Sequence, residues 1–222
     1  MTRADRAAAA VLTRSGASAT GAALALATRV IAAVRPSPKP LHPEGRLVTG
    51  TLRRHGSPVP SGSSWVDEAG EDLVVARLSR AIGLPQALPD IYGLAVRVPS
   101  GASTGDLLFA STGWGRVGRY VLSFGGHVGA RPMTTLLPYR TSQGAVLLGA
   151  SATSPSTFEL WWSRGSGPWH CFAELELSEG RDADPVVSFD PVRNRLPGLE
   201  QYPAVVRLRE PAYLRARRSR TG

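Results

Sequence analysis

Beyond the proline-rich stretch at 35–40, the chain breaks into short alternating segments with no long helical period between them. This pattern limits the fold more than any other feature of the sequence. Proline stops a helix and extends the backbone, so residues 1–34 are set apart from the segments after residue 40. The segments 46–54, 73–79, 92–99, 107–111, 145–150, 157–163, 169–178 and 205–209 are predicted as strands, with Gly, Pro and Ser in the turns between them. Within 73–79, Leu73, Val75 and Arg77 project to one side and Val74, Ala76 and Leu78 to the other. The stretch 114–124 is ambiguous and is compatible with a short helix. About eight antiparallel strands can close into a barrel, which removes exposed edges. A β-sandwich satisfies the same strand count.

The chain divides into an alanine-rich helical arm at 1–34, a β-domain at 35–216 and a basic tail at 217–222. The arm imitates a signal peptide, but Arg29 interrupts its apolar run and Gly16 and Gly21 dilute it, so an arm packed on the domain is expected. No run of 18 apolar residues is present, and none is expected to span a membrane. Cys171 is the sole cysteine, which excludes an intrachain disulfide. These features point to a cytoplasmic protein, with peripheral membrane contact through the arm left open. The net charge of +9 is almost all arginine, because Lys39 is the one lysine. The arginines are scattered, apart from Arg215, Arg217, Arg218 and Arg220, and no nucleic-acid-binding motif accompanies them. No specific nucleic-acid partner is expected, and a homo-oligomer stays open.

Three pieces of the domain share one chemical logic. Lys39-Pro-Leu-His42-Pro-Glu-Gly45 leads into the first strand. Arg77-Leu-Ser79 sits on the second, and Pro89-Asp90-Ile-Tyr-Gly93-Leu-Ala95 opens the third. Together with Asp106-Leu-Leu-Phe-Ala-Ser111, Phe189-Asp-Pro191, Tyr202-Pro203 and Arg209-Glu-Pro-Ala-Tyr213-Leu, they resemble the ordered motifs of haem-dependent catalases across about 38–216. The resemblance implies a mainly β fold: the eight-stranded antiparallel catalase-like barrel, preceded here by the helical arm. It implies haem as cofactor and peroxide or hydroperoxide as small-molecule substrate. His42 matches the distal acid/base, Ser79 the hydroxyl that orients it, and Ser111 the peroxide-orienting residue. Arg77 and Lys39 match the propionate cations. Histidine suits proton transfer near neutral pH, and arginine suits a carboxylate.

The family's proximal tyrosine lies beyond the last of these motifs, and the chain ends at Gly222 before such a helix. Tyr213 is kept with the cofactor residues, while Tyr202, His127, His170 and Cys171 remain alternative axial ligands. A second chain covering the open face is another. Apart from the resemblance, Cys171 is a core residue on an alternating strand. Trp161 and Trp162 occupy opposite faces of theirs. The acidic run Asp67, Glu68, Glu71 and Asp72 is a solvated turn. Gly113-x-Gly115-x-x-Gly118 lacks the βαβ setting of a dinucleotide site. Two other function classes stand beside the haem protein. One is a non-haem member of the fold that binds an anionic small molecule or lipid, with phosphodiester hydrolysis as a weaker variant. The other is an interaction protein working through the arm and tail.

Overall fold

The computed structural model describes residues 45–85, 87–178, 187 and 189–207. The arm at 1–34, the basic tail, and Lys39, His42 and Tyr213 lie outside these residues. Within them the strands are β1 (Gly45–Arg54), β2 (Gly70–Arg80), β3 (Tyr92–Ser100), β4 (Ser103–Ser111), β5 (Met133–Thr134), β6 (Tyr139–Thr141), β7 (Gly144–Ala152), β8 (Thr157–Arg164), β9 (His170–Leu177) and β10 (Glu200–Gln201). A four-residue helix, α1 (Ser64–Asp67), lies between β1 and β2.

Each strand pairs with its neighbour antiparallel, and the ring β1–β2–β3–β4–β5–β7–β8–β9 closes through β9 back to β1. The sandwich alternative is thereby excluded for the described residues. β6 continues the line of β5 along the same edge of β7, and its other edge carries β10. Between β5 and β6, Leu136 adopts φ 58°, a left-handed step uncommon outside glycine. One end of the barrel, called the near end, carries the start of β1 and the loops 81–91, 112–132 and 153–156. The far end carries 55–69, 142–143 and 165–169.

Alternation along the strands fills the interior. Val48 and Leu52, Val74 and Ala76, Leu94, Val96 and Val98, and Leu107 and Phe109 point inward from β1 to β4. Val146, Leu148, Phe158, Leu160, Trp162 and Leu175 meet them from the other half. Each such side chain contributes about 1.5–3 kcal/mol when fully buried. Leu73, Val75 and Arg77 accordingly face outward, and Leu73 is strongly exposed.

Two expectations need correction. The segment 205–209 is not a strand as far as it is described. A helical turn begins at Pro203, with the Val205 and Val206 amides donating to Tyr202 O at 2.8 and 3.0 Å. Proline suits a first helical position, where its missing N–H costs nothing. The eighth stave of the barrel is β5 extended by β6, which no strand pattern announced. The ambiguous stretch 114–124 holds one 3-10 turn, Gly118–Tyr120, between the bridged residues Thr112 and Leu122.

Candidate functional site

Register across β1–β4 sets two rows on the outer wall near the near end. One is Gly45, Ser79, Gly93 and Ala110; the next is Leu47, Arg77, Ala95 and Leu108. Most of these residues are small, so the wall is recessed. A cavity of about 200 Å³ lies there, lined by Ser79, Ala81, Ile91, Gly93, Ala95, Leu108 and Ala110 among others. At two glycines a neighbouring side chain occupies the space a methyl would take. A methyl on Gly93 would stand 2.9 Å from Ser79 Oγ, and one on Gly45 would collide with the Arg77 guanidinium. The Arg77 side chain therefore leans back across β1 toward the Ser79 row.

The rim of this wall is held by Asp90. Its carboxylate is fully buried and accepts from the amides of Ile82 (3.0 Å), Gly83 (2.9 Å), Leu84 (3.1 Å) and Ile91 (2.7 Å). Arg80 Nε lies 3.5 Å from it. Burial pushes the Asp90 carboxyl up, but the four amide bonds outweigh burial and hold its pKa below the ordinary value. Asp90 and Gly125 also exchange backbone hydrogen bonds at 3.0 and 2.9 Å, which ties loop 81–91 to loop 112–132. At the other side of the wall, Asp106 receives the Arg97 guanidinium through two bonds of 2.8 Å. It also accepts from the Asp190 amide (2.6 Å) and Asn194 Nδ2 (2.7 Å). This buried carboxylate fastens the segment around Asp190 to the barrel, and its bonds raise the Arg97 pKa.

Ser79 and Arg77 thus share one face. Ser111 does not. It is buried on the opposite side of β4, where its hydroxyl donates to Ser123 O (2.6 Å) and accepts from Tyr92 N (3.1 Å). Ala110, one residue earlier, is the side chain facing Gly93. Of the alternative axial ligands, His127 is exposed in loop 112–132 with Nδ1 2.8 Å from Val128 O. His170 lies against the Trp162 ring at the far end. Tyr202 precedes the helical turn at Pro203.

A second cavity, about 420 Å³, opens at the far end between His55, Gly56, Ser57, Pro58, Asp67 and Cys171. Cys171 Sγ lies 3.6 Å from His55 Nε2. Burial, then Glu159, push the Cys171 thiol up, so it stays protonated at neutral pH and is a poor nucleophile. Sequence reasoning missed His55, since only the β1–β9 pairing brings it to Cys171. Asp67 is no solvated charge: it accepts from the amides of Ser61 (2.8 Å) and Gly62 (3.1 Å). Among the described residues no three His, Cys, Asp or Glu side chains gather as metal ligands.

The residues of the near-end wall fit one face of a haem. A recessed apolar surface suits the flat ring, and a guanidinium at its edge suits a propionate. No family model matches the sequence, and no curated protein does. In fold the chain is similar to a fungal catalase, with a TM-score of 0.52 and 10% sequence identity, over 76% of this chain and 56% of that one. The chain therefore spans little more than half of that catalase. The barrel is catalase-like in fold, and at this identity the likeness extends to the fold alone.

Proposed function

We propose that this chain is a catalase-like haem-binding protein with peroxidase or hydroperoxide activity, its pocket built on the outer wall of β1–β4. One observation carries the reading. Gly45, three residues after His42 in sequence, pairs with Ser79, and the Arg77 guanidinium lies across it. Ser79 and the Arg77 guanidinium thus share one end of one sheet face, and the proposal brings His42 to them. Arg77 and Lys39 would hold the propionates. Ser79 would fix the tautomer of His42, and His42 would move a proton between the two peroxide oxygens. Bound haem supplies the iron at which a peroxide bond is cleaved. Tyr213 stays a proposed cofactor contact. Ser111 enters only as the bracket that holds Tyr92, and through it Gly93, in place.

A second reading is favoured by Ala110. At the β4 position facing Gly93, Ala110 offers peroxide no hydrogen-bond donor. A non-haem protein binding an anionic small molecule beside Arg77 would need none there.

Haem titration of the purified protein, followed at the Soret band, separates the two. The haem reading expects saturable one-to-one binding, a band altered by His42→Ala, and binding weakened about tenfold or more by Gly93→Val, whose side chain fills the recess. Binding that neither saturates nor responds to these substitutions overturns it and directs the search to anionic ligands of the Arg77 wall.

A further inference from the structure

At the far end a β-bulge decides where Cys171 points. Leu160 pairs with Ala173 but Trp161 pairs with Cys171, so Phe172 is an extra residue on β9. A bulge re-aims the side chains beside it. Phe172 and Ala173 are both fully buried, and Cys171, which strict alternation places in the core, lines the cavity of about 420 Å³ instead. The same bulge fixes the histidine. His55 N and Gly56 N both donate to Phe172 O, at 3.0 and 3.2 Å, and His55 Nε2 stands 3.6 Å from Cys171 Sγ.

That separation has a chemical meaning. Metal–nitrogen and metal–sulfur bonds of ~2.1 and ~2.3 Å at a tetrahedral angle put the two donor atoms about 3.6 Å apart. The pair thus already has the edge of a zinc coordination tetrahedron. The charge around it suits a cation. Glu159 and Glu174 oppose each other across β8 and β9, and neither forms an ion pair among the described residues. Like charges facing in this way cost stability that a nearby cation recovers. Burial, then Glu159 and less strongly Glu174, hold the proton on the Cys171 sulfur. A divalent cation reverses that balance: it displaces the proton to solvent and is drawn by the same carboxylates. Asp67 lines the cavity too. Each of its oxygens accepts one amide and keeps a lone pair for metal-bound water.

We propose that Cys171 and His55 chelate a borderline divalent cation of the zinc class, with water in the remaining positions. Thiolate and imidazole select such ions, whereas calcium and magnesium favour oxygen donors. An anion would be repelled by Glu159, Glu174 and Asp67. Two protein ligands leave coordination positions open on the cavity side, as in an open zinc centre rather than a closed structural one. This site is independent of the haem reading, because it uses neither the recessed wall nor His42.

The test titrates the full-length protein, reduced and stripped of metal, with cobalt(II), whose absorption reports its ligands. A saturable thiolate-to-cobalt charge-transfer band in the near ultraviolet is expected, at one cobalt per chain and erased by added zinc. Cys171 is the sole cysteine, so the band can come from no other sulfur. His55 is exposed, and His55→Ala should weaken cobalt binding by about tenfold or more. If His55→Ala melts below the wild type, His55→Gln, which keeps bulk and polarity, decides in its place. Absence of the band with cobalt up to about 1 mM overturns the proposal. So does a band whose titration the deciding His55 substitution leaves unchanged.

Discussion

The outer wall of this barrel is finished in two ways. On the β7–β8 side the chain covers its own sheet. Gly149 leaves a gap into which Trp114 sinks, its ring 2.9 Å from where a methyl would stand. Trp114 stacks on Trp169 at 4.2 Å and meets Trp161 edge-on at 6.3 Å. Arg119 locks the cover. Its guanidinium lies 4.5 Å over Trp169 and donates to Ser163 Oγ (2.7 Å), Gly165 O (3.1 Å) and Gly167 O (3.2 Å). On the β3–β4 side a glycine makes the same kind of gap at Gly93, and among the described residues the side chain that leans over it is Ser79. Glycine in a strand costs stability, so an unfilled recess asks for a ligand where a filled one asks only for packing.

Three substitutions sharpen or break that contrast. The largest effect belongs to the covered side. Arg119→Met should lower unfolding free energy by about 3–5 kcal/mol, because buried carbonyls and a serine hydroxyl lose a charged donor. Denaturant titration measures it. A loss under about 1 kcal/mol would mean the tryptophans hold the cover unaided.

A smaller effect is expected at the rim of the bare side. Asp90→Asn should cost about 1–3 kcal/mol, since one of its two acceptors becomes a donor facing amides. Acid should reproduce the loss in the wild type. The folded pKa of Asp90 lies below its unfolded one, so its contribution is complete above the ordinary carboxylate range and falls away as pH drops through the folded value. Unfolding curves of the two proteins should therefore converge as the pH is lowered. Curves that stay apart in acid would contradict the assignment.

The smallest effect tests the recess itself. Gly93→Ala should change stability by less than about 1 kcal/mol, because the strand gains from losing a glycine what it loses in turning Ser79 aside. A much larger loss would show that the recess is packed structure after all.

Much of the barrel was legible because alternation has period two, and long strands such as β2 and β3 repeat it several times. The two-residue β5 and three-residue β6 are too short to show any period. The segment from 205 misled in the opposite sense: its apolar run reads as a strand, but Pro203 starts a helical turn. The site was legible in part. Arg77 and Ser79, two apart on one strand, had to share a face. Ser111 failed by one residue, and in a strand one residue is the whole difference between two sides of a sheet. The Cys171–His55 contact joins strands far apart in sequence, and no local spacing marks it.

The uneven ladders give this cylinder a seam. β1 and β2 are joined by ten register pairs, but β5 holds β4 through two and β7 through two more. The bare wall belongs wholly to the strands before that seam, and the tryptophan cover rests mainly on the strands after it. The staves on either side are thus two curved sheets stitched lightly along one edge. Loop 112–132, which leaves β4 and supplies Trp114 and Arg119 to the cover, bridges that edge, so a load on the first sheet reaches the aromatic stack of the second through it.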